Sequence, residues 1–209
     1  MPVTLFHSPL ACSLAVRIAA AEAGIDLKLE QVDLASKALA SGGHLTAINP
    51  LGQVSTLRME NGDLLTETSA CLLWVQAQSL EPAFRTEPSD PAYFQMVRWL
   101  SFIATELHKQ IFRIVFYEEA TDAVKDRFRA LAPSRFDVLD AHLTDRPFLT
   151  GERFGAADAY LAWFFVLADR AGVALQEHPN LCAYRDRVLD RRHVAATIAD
   201  DRVLAKNRE

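Results

Sequence analysis

Cys12 is the first candidate for chemistry in this chain. It stands in Ser8-Pro9-Leu10-Ala11-Cys12-Ser13-Leu14, after the β-prone run Val3-Thr4-Leu5-Phe6-His7, where a helical apolar pattern begins. A thiol at a helix start meets unsatisfied N–H groups and the positive end of the helix dipole, which favour the nucleophilic thiolate. The same position suits a small buried hydrophobe, the commoner state of a free cysteine. The other cysteines, Cys71 and Cys182, lie in apolar helical patterns and read as core. Three cysteines without a CxxC pair exclude a disulfide framework and disfavour a structural zinc or a dithiol redox centre.

Glu67-Thr68-Ser69 opens another helix directly after a strand. One reading is an N-cap with an acid near the positive helix end. The other is a pocket for a zwitterion, in which helix N–H groups and a hydroxyl take a carboxylate while Glu67 takes an ammonium group. His108, in Glu106-Leu107-His108-Lys109, sits beside an apolar helical stripe and reads either as packing or as a catalytic side chain. In Gly151-x-x-Phe154-Gly155-x-x-Asp158 the acid falls at the third helical position, where it can reach back to the cap N–H; this is a folding device.

The elements that must position these residues follow from periodicity. Val3–His7 and Leu27–Val32 read as strands, with a helix from Cys12 to Ala23 between them and Gly24 at its C-cap. Ser36–Ile48 is a helix or irregular turn. Ser55–Met59 and Leu64–Leu65 flank the turn Asn61-Gly62, and a helix capped by Thr68 or Ser69 runs through Gln78. Beyond residue 91 only helices are predicted. One long amphipathic helix is marked by Met96, Leu100, Ile103, Leu107, Ile111 and Ile114; a second runs from Val124 to Leu143, kinked or split by Pro133. Ala156–Ala171 is apolar on nearly every side, as a central buried helix is, and Leu181–Leu189 and Val194–Ile198 add one or two more.

Pro82, Pro88 and Pro91 disfavour helix between these parts, so the expected division is a domain over 1–79, a linker over 80–91 and a second domain over 92–209. The fold class is α/β followed by all-α. The 209 residues, 50% hydrophobic and 23% charged, have globular composition. A net charge of −5 without a basic run argues against nucleic acid. The lack of a long apolar stretch or a signal-like N-terminus gives the expectation of a cytoplasmic protein without membrane association.

Five segments in order resemble the bacterial glutathione transferases of the cysteine, or beta, class: Ser8–Leu14, Ala47-Ile48-Asn49-Pro50-Leu51-Gly52-Gln53-Val54, Asn61-Gly62-Asp63-Leu64-Leu65-Thr66-Glu67, Glu106–Lys109 and Ala157-Asp158-Ala159-Tyr160. The resemblance implies a thioredoxin-like domain followed by an all-helical domain, paired as a two-fold homodimer. It implies that Cys12 contacts or disulfide-bonds the glutathione thiol, that the Val54 backbone pairs with the cysteinyl unit like an added strand, and that Glu67 and Thr68 hold the γ-glutamyl end. By the same resemblance Lys37 lies near the glycyl carboxylate, His108 faces the site from the second domain, and Glu106 reaches the γ-glutamyl ammonium group across the dimer. The family carries a cis-proline after Val54, and this chain carries Ser55. Ser55 leaves two alternatives: a cis Val54–Ser55 bond, or a trans one that reshapes the strand edge meant for glutathione.

The function so implied is transfer of glutathione, a co-substrate and not a cofactor, to small hydrophobic electrophiles, or its exchange from mixed disulfides. Ile111, Phe112 and Phe116 are expected to wall the pocket for the second substrate. No metal is expected. The alternative is a binding or regulatory protein on the same fold that has lost glutathione, a reading motivated by Ser55.

Overall fold

The computed structural model describes residues 2–207. Two compact units are present, one running through Arg85 and taking in the chain from Arg192 onward, the other Thr86–Arg191.

In the first unit β1 (Thr4–His7), α1 (Ser13–Glu22) and β2 (Lys28–Gln31) are followed by an irregular segment with one 3-10 turn at Leu45–Ala47. Then come β3 (Thr56–Arg58), β4 (Leu64–Thr66) and α2 (Thr68–Ala77). The sheet order is β2-β1-β3-β4, with β1 parallel to β2 and antiparallel to β3, and β3 antiparallel to β4. This is the thioredoxin-like arrangement expected. Alternation along β1 sends Leu5 and Phe6 to opposite faces. Phe6 packs with Val32 and Leu45, and the partly buried Leu39, Ile48 and Val54 close over them, so the irregular segment is tied down by its apolar residues. The hairpin turn is one residue longer than the Asn61-Gly62 signal suggested: Met59 N–H bonds to Asp63 O at 2.8 Å, and Gly62 takes φ +91°, where a side chain would be strained.

The last helix, α9 (Arg192–Lys206), departs from the expected division. It packs on α1, as α2 does, and therefore belongs to the first unit instead of to a domain over 92–209. The linker is also shorter than 80–91. Leu80 N–H bonds to Ala23 O at 3.0 Å and Phe84 is buried, which anchors residues 80–85 to the first unit. Asp90 then caps the next helix by accepting from Ala92 N–H at 2.8 Å.

In the second unit α3 (Pro91–Phe102) runs into Ile103–Phe112, wound with i→i+5 bonds, and then the short α4 (Arg113–Val115). One long α-helix was expected here; a wide turn inside it is a form that often marks functional segments. Pro133 splits the next pattern as anticipated, into α5 (Asp122–Arg129) and α6 (Ala132–His142). The apolar α7 (Ala156–Ala171) is the unit's centre, packed by α3, the wide segment and α8 (Pro179–Leu189).

Candidate functional site

The strand β1 and the turn after it deliver Cys12 to the cap position of α1. The Cys12 side chain makes no cap hydrogen bond; its Sγ donates to Val54 O at 3.2 Å, and the residue is 7% exposed. The turn is gripped from beneath. Leu10 takes φ +60°, and its N–H donates to Asp201 Oδ2 of α9 at 2.6 Å. His7 Nε2 meets Asp201 Oδ1 at 2.7 Å while its Nδ1 meets Ser13 Oγ at 2.9 Å, and Arg17 of α1 also donates to Asp201. His7, Ser13 and Asp201 are fully buried. Burial pushes the Asp201 carboxyl up, but His7, the Leu10 N–H and Arg17 outweigh it and hold the group below its ordinary range.

Val54 is placed by its neighbours. The Asn49 amide donates to Gln53 O and to Thr56 Oγ1, both at 3.0 Å, bracing the chain on either side. The Val54–Ser55 bond is cis, the first of the two alternatives left by the sequence. The Ser55 hydroxyl lies 3.3 Å from the Thr68 hydroxyl, both buried at the start of α2. Glu67 precedes that helix with φ +67°; its exposed side chain makes no cap hydrogen bond, so capping does not account for the carboxylate. Cys12, Val54, Ser55 and Thr68 thus come together where the chain enters β3, with Glu67 adjoining. Lys37 stands aside: its φ is +64°, its ammonium donates to Leu34 O, and its stem lies over Gly52, where an added Cβ would meet Cδ at 3.3 Å. Cys71 is core, as expected; burial, with Cys12 nearby, pushes its thiol up to about 12.

The second unit places its candidates on the wide segment. Arg135 of α6 donates to Glu106 Oε2 through Nε at 3.1 Å and Nη2 at 2.9 Å, and to Gln110 Oε1 at 2.6 Å. The Glu106 charge is therefore already matched within its own unit. His108 is enclosed by α7: Nδ1 lies 2.7 Å from the Tyr160 hydroxyl, and the ring meets the Trp163 ring edge-on at 4.7 Å. Burial, with Lys109 and Arg113 nearby, pushes the His108 pKa down to about 3, so the imidazole is neutral near pH 7.

Ile111 and Phe112 do not line open space. They are 0% and 2% exposed, and Phe112 stacks on Phe164 at 4.1 Å, so both build the core that the i→i+5 winding turns inward. Of the three expected pocket walls only Phe116, 36% exposed, presents its ring to solvent, with the Arg170 guanidinium above it at 5.5 Å.

Sequence reasoning missed Tyr160, Asp201 and Arg135. Tyr160 carried a usable signal, because a tyrosine inside a helix apolar all round must find a partner for its hydroxyl. Asp201 carried none; it lies 194 residues from His7. Among the described residues no group of three or more His, Cys, Asp or Glu could hold a metal ion, and no helix is long and apolar enough to cross a membrane.

Comparison with known proteins agrees over nearly the full length. Residues 11–78 match the family model "Glutathione S-transferase, N-terminal domain", and residues 102–191 match "Glutathione S-transferase, C-terminal domain". The chain is 33% identical over 190 residues to the glutathione S-transferase GstA of Escherichia coli O157:H7, covering 91% of this chain and 94% of that one. A sphingomonad glutathione S-transferase solved in complex with glutathione superposes with a TM-score of 0.88 at 30% identity, covering 95% of this chain and 98% of its own. A bacterial beta class enzyme from Sphingomonas chungbukensis superposes with the same TM-score at 31% identity, over the same shares of the two chains.

Proposed function

Since this chain belongs to the glutathione S-transferase family, we propose that it binds glutathione along Val54 and uses Cys12 in beta class chemistry. The observation that carries this reading is the entry to β3, where Cys12 Sγ meets Val54 O and the Ser55 hydroxyl lies beside that of Thr68 at the start of α2.

Thr68 and the first N–H groups of α2 take the γ-glutamyl carboxylate, since a helix start binds anions, and the unspent carboxylate of Glu67 takes the ammonium group. Val54 pairs with the cysteinyl unit, which brings the glutathione sulfur beside Cys12. Lys37 takes the glycyl carboxylate after its ammonium leaves Leu34 O. His108 supplies a hydrogen bond to the bound thiol. Phe116 contributes apolar surface for a small hydrophobic electrophile.

The protein acts as a cytoplasmic homodimer. For Glu106 to reach a partner's glutathione it must use Oε1, because Arg135 occupies Oε2 through Nε and Nη2.

Calorimetric titration of glutathione into the reduced protein near neutral pH is the direct test. Binding at micromolar to low millimolar concentration is the expected result; no detectable heat would refute the assignment. Cys12→Ala should abolish release of glutathione from a mixed disulfide, and unchanged exchange would remove Cys12 from the mechanism.

A further inference from the structure

Asp201 of α9 holds the chain at points on either side of Cys12. Its Oδ1 meets His7 Nε2 at 2.7 Å, at the end of β1. Its Oδ2 takes the Leu10 N–H at 2.6 Å, two residues before the cysteine. Arg17, on the first turns of α1, donates to Oδ1. Ser13, which follows Cys12 directly, joins the group: its Oγ lies 2.9 Å from His7 Nδ1 and accepts the Ser8 N–H at 3.3 Å. All of these residues belong to the first unit, and Asp201, His7 and Ser13 are fully buried.

Leu10 is where the grip bears on chemistry. Its φ of +60° lies in the left-handed region, where a leucine Cβ crowds the following carbonyl, so the turn keeps that conformation only while its surroundings impose it. An N–H bond to a buried carboxylate is of the strong, charge-assisted kind. Cys12 itself makes no side-chain cap bond, and its Sγ reaches Val54 O at 3.2 Å. The sulfur stands one torsion from the backbone, so a shift of the chain at Leu10 carries Sγ away from that carbonyl.

We infer that Asp201 is a positioning residue for Cys12: by holding Leu10 left-handed it keeps the thiol seated against Val54, so that α9 governs the sulfur at the start of α1. The inference rests on the proposed role of Cys12 for its bearing on catalysis, though not for the placement of the thiol.

Iodoacetamide labelling at pH 8, read by peptide mass spectrometry, follows that placement without glutathione. Asp201→Asn keeps the size of the side chain but leaves one acceptor oxygen in place of two, while Arg17 keeps Asp200. It should speed labelling of Cys12 about tenfold, the size of one hydrogen bond to a charged group, and leave the buried Cys71 unlabelled. Leu10→Gly, which accepts a positive φ without strain, should return Cys12 towards its wild-type rate in the Asp201→Asn background without restoring the melting temperature. Where Asp201→Asn does not fold, Leu10→Ile makes the test with Asp201 intact, because a β-branched residue resists positive φ; Cys12 labelling should again rise. Equal rates at Cys12 in wild type and variant, or no recovery with Leu10→Gly, overturn the inference. Labelling of Cys71 along with Cys12 overturns it too, since Asp201 would then act only through folding. In a mixed-disulfide assay Asp201→Asn should lose turnover that Leu10→Gly regains. Absence of turnover in the wild type would count against the proposed function, while the labelling would still decide the placement of Cys12.

Discussion

The two cysteines nearest the site differ through their surroundings. Cys12 sits at a helix start with its Sγ on a carbonyl, while Cys71, one turn inside α2, has its thiol pushed up to about 12 by burial, with Cys12 nearby. The folded protein treated with iodoacetamide at pH 8 should carry no label on Cys71 until denaturant is added, as peptide mass spectrometry would show. Label on Cys71 in the native state would contradict the burial described. His108 shows the same control by environment. Its pKa is about 3 when folded and about 6.5 when unfolded, so between these values the unfolded chain binds a proton that the native chain does not. Its contribution to stability is complete above about pH 6.5 and is lost as pH falls towards 3. The His108 ring resonances should stay flat from pH 8 down to about 4, and a midpoint near 6 would refute the neutral ring.

At the scale of elements, α7 depends on one buried carboxylate. Asp158 accepts from Gly155 N–H at 2.8 Å, Leu149 N–H at 2.9 Å and Tyr184 OH at 2.6 Å. The Gly155 bond is the reach-back foreseen from the spacing; the other two fasten α7 to the preceding loop and to α8. Asp158→Ala leaves three buried donors without an acceptor, which should cost about 3 kcal/mol and lower the melting temperature by roughly 6–12 °C in a chain of this size. The pH dependence runs opposite to that of His108. Burial pushes Asp158 up to about 6 despite its hydrogen bonds, so its contribution is complete below about pH 4 and is lost as pH rises through 6. Asp158→Asn should flatten the melting temperature against pH over that window, and an unchanged slope would mean that another group sets it.

Elements were legible where their signal is local. Strand alternation, the Pro133 break and the 16-residue apolar run of α7 are all local patterns, and each element formed where the pattern put it. The i→i+5 winding of Ile103–Phe112 was not legible, because the same apolar spacing suits an ordinary helix and only packing against α7 shows the difference. For the same reason Ile111 and Phe112 read as pocket walls when they are core. Among the site residues, Cys12, Glu67 and Thr68 announce themselves by standing at helix starts after strands. Tyr160 meets His108 across 52 residues, and Arg135 meets Glu106 across 29, distances over which a sequence carries no geometric mark.

At the scale of the whole molecule, the second unit is an insertion in the sequence of the first. The first unit is completed by α9, whose Asp201 holds the Leu10 turn, His7 and Arg17 together. Asp201→Ala would take the acceptor from His7 Nε2 and the Leu10 N–H and would leave Arg17 with Asp200 alone. Removing one member of a buried ion pair costs about 3–5 kcal/mol, or roughly 6–20 °C of melting temperature for a chain of this length. Asp201→Asn, which keeps an acceptor oxygen, should lose less. Equal stability of wild type and Asp201→Ala by thermal denaturation would show that α9 is held by its apolar contacts alone.

That placement of α9 bears on how the protein is made. A ribosome delivers the chain from its beginning, and domains ordinarily fold as they emerge. Here the β-sheet and α1 emerge first but cannot bury the outer side of α1, or anchor Leu10, until Arg192–Lys206 has been synthesised. The inserted helical unit has all its elements in hand sooner. The unit translated first is therefore the last to be finished, and a nascent chain stalled before Arg192 would carry a folded helical unit and an unfinished first unit.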